Sequence, residues 1–119
     1  MVVTGGAGYV GSAVAHELSR RGARVLVLDD LSAGHAWAAR GLELRVCDVR
    51  DEAAVEEALR GHGARAVCHL AAQANIPESY ADPARCHAIN VGGTEALLRA
   101  MERTGVRALA FASTCATYA

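Results

Sequence analysis

The feature that most constrains the fold is a glycine-rich turn near the N-terminus, Thr4-Gly5-Gly6-Ala7-Gly8-Tyr9-Val10-Gly11, set between a short apolar run and a segment of helical pattern. Gly5, Gly8 and Gly11 are spaced three apart. In a strand–turn–helix unit the first glycine of such a set permits the tight turn. The second lets the backbone approach a pyrophosphate, and the third lets the helix close on the sheet. The helix opening there offers amide groups and the positive end of its dipole to phosphate charge. The next apolar run, Arg24–Leu28 (RVLVL), leads into Asp29, 24 residues after Gly5 and close to the offset of ~20 residues at which an acid reads a ribose hydroxyl. A carboxylate at that place accepts a hydrogen bond from a ribose 2′-OH and repels a 2′-phosphate. Asp30, Leu31 and Ser32 supply no arginine to receive such a phosphate, so the residues point to NAD rather than NADP.

Strand and helix patterns alternate along the rest of the chain. Met1–Thr4 is a short apolar strand. Val10, Ala13, Val14 and Leu18 recur at helical spacing up to Arg21, and Gly22 offers a stop. Asp29 to Gly41 reads as irregular, and Glu43–Cys47 as a third strand. Asp51 is placed to cap a helix running to Arg60, with Val55, Ala58 and Leu59 on its inner face and Gly61 after it. Arg65–His69 is a fourth strand, followed by a polar loop over Gln73–Asp82. Asp82-Pro83 joins a capping carboxylate to a proline at the first helical position. The helix it opens runs to Thr104, with Ile89, Leu97, Leu98 and Met101 inward and Gly105 at its end. Arg107–Ala112 is a fifth strand, whose outer edge is expected to be bare and apolar.

This alternation predicts an α/β fold: a doubly wound, Rossmann-type parallel sheet of five strands in the order 3-2-1-4-5, with helices on both faces. A composition of 52% hydrophobic but only 4% aromatic residues suits close packing of helices on such a sheet. The 119 residues suffice for one domain. Residues 1–119 are read as the N-terminal part of a dinucleotide-binding domain, ending before the later strands and a substrate domain.

Other function classes find no support. The formal charge is −1, with acids and bases interspersed, so nothing marks a nucleic-acid or membrane surface. No apolar run approaches the ~20 residues that span a bilayer, and no charged leader precedes an apolar core, which points to the cytoplasm. Cys47, Cys68, Cys86 and Cys115 form no C-x-x-C pair and read as reduced thiols. His16, His35, His62, His69 and His87 are scattered without acids at ligand spacing, so no metal site is expected. His16 reads as exposed on the first helix and His69 as a satisfied structural histidine. Trp37 is open between packing near an adenosine and capping the sheet. Glu78 and Ser79 are open between bordering a substrate and facing solvent.

Six segments carry a resemblance that spans the chain: TGGAGYVGS (Thr4–Ser12), LDDLSAGH (Leu28–His35), CDVRD (Cys47–Asp51), HLAAQ (His69–Gln73), INVGGT (Ile89–Thr94) and FASTCATY (Phe111–Tyr118). Together they resemble the extended short-chain dehydrogenase/reductases, the NAD-dependent epimerase/dehydratase family. The resemblance implies NAD as cofactor. Gly5, Gly8, Tyr9, Val10 and Gly11 would form its phosphate turn, and Asp29, Asp30, Leu31, Ser32, Ala33 and Gly34 would wrap the adenosine ribose. Asp48 and Val49 would lie beside the adenine, Leu70, Ala71, Ala72 and Gln73 along the ribose and pyrophosphate, and Asn90 and Ser113 close to the cofactor.

It also implies a sugar-nucleotide 4-epimerase, in which hydride leaves C4 of a nucleotide-linked hexose and returns to the other face. Thr114 would be the catalytic hydroxyl at the C4 oxygen, a UDP-hexose the substrate, and a homodimer the complete form. The family's Tyr-x-x-x-Lys pair is not among these residues, and Tyr118 matches a different tyrosine. Residues 1–119 alone are therefore expected to lack epimerase activity. A 4,6-dehydratase or a reductase stands as an alternative, although Cys115 and Ala116 follow Thr114 where a dehydratase has an acidic pair. A non-catalytic dinucleotide-binding protein is the other.

Overall fold

A computed structural model describes residues 1–114 and shows the predicted α/β architecture. The strands are β1 (Val2–Thr4), β2 (Leu26–Asp29), β3 (Glu43–Val46), β4 (Ala66–His69) and β5 (Ala108–Phe111). The helices are α1 (Tyr9–Arg20), α2 (Glu52–His62), α3 (Ile76–Ala81), α4 (Pro83–His87) and α5 (Gly93–Thr104), with a 3₁₀ turn at Ala36–Ala39 and a π-turn at Ala88–Gly92. Every strand pair is parallel, in the order β3-β2-β1-β4-β5. Val2 pairs with Leu26 and Val67, and Thr4 with Leu28 and His69. This register brings the C-terminal ends of the three central strands level, so the loops that leave them share one edge of the sheet.

Both faces of the sheet are covered, which explains why the strands are apolar on both sides. Val2, Leu26, Leu28 and Val67 point to one face and pack with Val55 and Leu59 of α2 and Leu97 and Met101 of α5. Val3 and Val27 point to the other, where Ala15 of α1 and Ala39 close over them. Full burial of such side chains contributes about 1.5–3 kcal/mol each. Asp51 caps α2 by accepting the Ala54 N–H at 3.0 Å, as its position in the sequence predicts. Asp82 caps α4 through the Arg85 N–H at 2.9 Å.

Several expectations are corrected. α1 turns Val10 and Ala13 to solvent and buries Gly11 and Ala15, because a helix this close to the sheet needs small residues at the contact. α2 continues through Gly61 to His62, and Gly63, at φ 63°, makes the left-handed stop. Leu98 is exposed, whereas Ala96, Leu97, Ala100 and Met101 face the core. The stretch read as loop over Gln73–Asp82 contains α3, and the long helix after Pro83 is interrupted by the π-turn.

Two close arrangements hold the strand ends. A β-carbon at Gly11 would stand 2.0 Å from the Gly5 carbonyl oxygen, and Gly5 itself sits at φ 69°, so the turn into α1 closes only on glycine at both places. Beneath it, His69 is buried between two hydroxyls. Thr4 Oγ1 lies 2.6 Å from His69 Nδ1 and Thr94 Oγ1 lies 3.1 Å from His69 Nε2. At the far end of the sheet, β5 is exposed along its length, Phe111 included.

Two outcomes follow from this packing. Gly11→Ala is expected to lower the unfolding free energy by about 3 kcal/mol, because the added methyl overlaps backbone that cannot yield; urea denaturation measures it. Burial holds the His69 imidazole below its ordinary value of 6.5. The unfolded chain therefore takes up this proton first as pH falls, so the neutral ring's contribution is complete above about pH 6.5 and is lost below it. Stability should decline as pH falls below about 6.5, and His69→Gln should flatten that decline.

Candidate functional site

The level strand ends leave a cleft of about 320 Å³ at the C-terminal edge of the sheet. Open α/β sheets place ligands at this edge, where the order of strands reverses about the first. Four regions far apart in the sequence form most of its lining. They are Thr4, Gly5 and Gly8 at the end of β1 and in the first turn, Leu28–Asp30 with Ser32–Gly34 at the end of β2 and just after it, Cys47–Val49 after β3, and Leu70–Asn75 after β4.

The opening of α1 is built for an anion. Gly8 is its N-cap and has no side chain to satisfy the first-turn amides, and no acid stands in that turn. Those amides have no acceptor within the helix and carry the positive end of its dipole. A β-carbon at Gly8 would meet only the Gly5 carbonyl oxygen, at 3.3 Å. Tyr9 and Val10 turn their side chains away, 95% and 58% exposed, and neither lines the cleft. They contribute through the main chain, and Gly11 through helix closure.

Asp29 is 8% exposed, and its carboxylate organises the turn. Oδ2 accepts the Ala7 N–H and Oδ1 accepts the Leu31 N–H, both at 2.9 Å. Each oxygen keeps a second lone pair for a further donor. Leu31 sits at φ 60°, the left-handed region in which a branched residue is strained, and it does not itself line the cleft. The chain then doubles back. The His35 N–H donates to the Ala7 carbonyl at 3.0 Å, and Gly34 presses so near that a β-carbon there would be 2.8 Å from both Ala7 C and Asp29 Oδ1. Ala7 is thus held at its N–H by the last residue of β2 and at its carbonyl by the loop that follows. Asp30 is exposed on the rim, where its Oδ1 accepts the Ser32 N–H and Oγ–H at 3.0 and 2.6 Å.

Asp48 and Val49 form the next wall. The Asp48 carboxylate accepts the Arg50 guanidinium at 2.6 Å, and hydrogen bonding from Arg50 holds its pKa below the ordinary carboxylate range despite partial burial. Val49 is pressed by α5, since a β-carbon at Gly93 would stand 2.6 Å from Val49 Cγ1. On the opposite side, Asn90 does not reach the cleft; it holds the loop that does. Its Oδ1 accepts the Gln73 N–H at 2.7 Å and its Nδ2 donates to the Gln73 carbonyl at 3.1 Å. Glu78 lines the cleft, with its carboxylate bonded by the side-chain amides of Gln73 and Asn75.

Ser113 and Thr114 are exposed just past β5 and do not line this cleft. Cys115, Ala116 and Tyr118 lie outside the described residues. Trp37 stacks on His35 with ring centroids 5.7 Å apart, stays 71% exposed and does not line the cleft. His16 is exposed, as read, and bonds the Ala38 carbonyl at 2.9 Å. Arg85 and Ile89 line the cleft without a local signal, because they reach it only when the helix after Pro83 lies back over the end of β4. Among the described residues no three His, Cys, Asp or Glu side chains gather as metal ligands. No helix among them is long and apolar enough to cross a membrane.

Comparison with known proteins agrees with this geometry. The model of the NAD dependent epimerase/dehydratase family matches residues 1–119. The chain is 41% identical over 118 residues to the UDP-glucose 4-epimerase of Rhizobium leguminosarum bv. trifolii, covering 99% of this chain and 36% of that protein. It superimposes with a TM-score of 0.94 and 41% identity on UDP-glucose 4-epimerase from Brucella ovis in complex with NAD, covering 98% of this chain and 36% of that one. A further structure, the Stenotrophomonas maltophila enzyme with bound NAD and formylated UDP-arabinopyranose, gives a TM-score of 0.96 at 33% identity, over 98% of this chain and 37% of that one. The chain thus spans little more than a third of the length of the relatives it matches. With its glycine turn, its parallel sheet and a family match along its whole length, the chain belongs to the NAD dependent epimerase/dehydratase family.

Proposed function

We propose that these residues are the NAD-binding portion of a sugar-nucleotide 4-epimerase of the UDP-glucose/UDP-galactose type. One observation carries the reading: the uncapped opening of α1, the Asp29–Gly34 loop, the Asp48–Val49 pair and the Leu70–Gln73 strand exit converge on a single cleft. The residues present fit a dinucleotide. The cleft is lined by Gly5 and Gly8 where a pyrophosphate would meet amides, and by Asp29 and Asp30 where a ribose would meet acceptors.

When bound, NAD would supply the hydride acceptor and donor for inversion at C4 of the hexose. The chain's own residues do the holding. The first-turn amides of α1 neutralise diphosphate charge. Asp29 and Asp30 accept the ribose hydroxyls and disfavour a 2′-phosphate by like-charge repulsion. Asp48 and Val49 flank the adenine, and Leu70–Gln73 wall the ribose on the other side. Ser113 would stand close to the cofactor. Thr114 hydrogen-bonds the C4 oxygen and helps carry its proton. All 12 basic residues are arginine, so the lysine of a Tyr-x-x-x-Lys pair is not among these 119 residues. The general base that takes the C4 hydroxyl proton is therefore supplied from elsewhere in the enzyme. The complete enzyme takes a UDP-hexose, works as a homodimer and resides in the cytoplasm, where thiols such as Cys47, Cys68 and Cys86 stay reduced.

Titration calorimetry tests the reading. NAD is expected to bind, and NADP to bind about tenfold or more weakly. Equal affinity would remove Asp29 from its assigned role, and no heat with either would remove the function. Gly8→Val is expected to weaken NAD about tenfold or more while changing stability far less than Gly11→Ala does, because Gly8 faces open cleft. A coupled assay with UDP-glucose and NAD is expected to show no turnover by residues 1–119, and measurable epimerisation would show that the catalytic apparatus is already complete.

A further inference from the structure

The hydroxyls around His69 have a direction that the bond pattern assigns. Thr94 Oγ1 lies 2.6 Å from the Asn90 carbonyl, which only accepts, so the Thr94 hydroxyl donates there. Its oxygen is then the acceptor for His69 Nε2–H at 3.1 Å. His69 Nδ1 is left unprotonated and accepts the Thr4 hydroxyl at 2.6 Å. The result is a one-way chain, Thr4 to His69 to Thr94 to the Asn90 carbonyl, with the Phe111 ring 5.6 Å from the imidazole. It starts at the residue before Gly5 and ends in the π-turn, where the helix widens and the Gly93 N–H reaches both Ala88 and Ile89 carbonyls. Single π-turns concentrate at functional sites. This one carries Asn90, whose side chain accepts the Gln73 N–H and donates to the Gln73 carbonyl.

Resting on the dinucleotide reading of the cleft, we propose that His69 and Thr94 are positioning residues for it: they fix the carbonyl of Asn90, and Asn90 in turn sets the Gln73 peptide on the cleft wall. Neither His69 nor Thr94 lines the cleft, so both act through others. The device couples the two walls. The Thr4 end anchors the glycine turn and the Asn90 end anchors the loop after β4, so the width between them depends on one buried imidazole.

Thr94→Val keeps the shape and removes both bonds, whereas Thr94→Ser keeps them. Amide hydrogen exchange of the ligand-free chain reads the first link. At Gln73, Thr94→Val is expected to speed exchange about tenfold, leaving Val27 in the sheet protected, and Thr94→Ser to restore the wild-type rate. Calorimetry reads the second link, with NAD affinity expected to fall about tenfold in Thr94→Val and to recover in Thr94→Ser, the loss common when a partner behind a binding group is removed. Should Thr94→Val not fold, Thr94→Ala, a good helix former lacking the same bonds, takes its place. Unchanged Gln73 exchange in the variant overturns the proposal, as does a loss that serine fails to rescue. A wild-type chain that binds no NAD fails the functional reading instead, and the exchange result then decides the positioning role on its own.

Discussion

With the Gly5 carbonyl oxygen 2.0 Å from where a β-carbon on Gly11 would stand, α1 lies as near to the end of β1 as two backbones can come. Everything at the cleft follows from that approach. It places the open amides of α1 directly over the level ends of β1, β2 and β4. It leaves room on the other face for Ala15, and no more, against Val3 and Val27. It also brings the Ala7 peptide within reach of Asp29, whose carboxylate then ties the turn to the second strand. A larger residue at position 11 would tilt the helix away and separate the phosphate-binding amides from the acids after β2.

The carboxylate of Asp29 shows how one group can serve structure and recognition together. Both of its oxygens accept backbone amides, from Ala7 and Leu31, and this holds it in one rotamer facing the cleft. An acid so fixed offers its remaining lone pairs without the entropy cost of ordering a free side chain. The same economy appears on the other wall. Asn90 is spent on the Gln73 peptide, and His69 is spent on holding the turn that carries Asn90. The ionic pairs of the surface, such as half-buried Glu52 with the exposed Arg99 and Arg103 across α2 and α5, add little by comparison.

The core and the site were legible to different depths. Val55, Ala58 and Leu59 were readable because a helix cap at Asp51 sets their phase, and one apolar face at helical spacing leaves a single way to pack. Val10 and Leu98 were misplaced for the opposite reason. Both lie on helices with more apolar residues than the core takes, and closeness of approach, invisible in a hydrophobic pattern, decided which of them turned inward. α3 was missed because Pro77 and the polar residues around it read as a loop, and only its packing beside α4 makes so short a helix worth forming.

By itself the sequence determined the sheet, its strand order and the cleft edge. Alternating apolar runs and helix signals, joined by right-handed crossovers, leave almost no other topology, and the triplet of glycines marks the first turn by a steric requirement that acts locally. Tertiary structure alone decided that Asn90 would hold the wall of the cleft rather than line it. It alone made the Ala7 peptide the meeting point of two loops, and it alone gave His69 a directed chain of hydroxyls between β1 and α5. Those contacts join residues separated by 17 to 65 positions, and a hydrogen bond depends on tenths of an ångström that no spacing along the chain encodes.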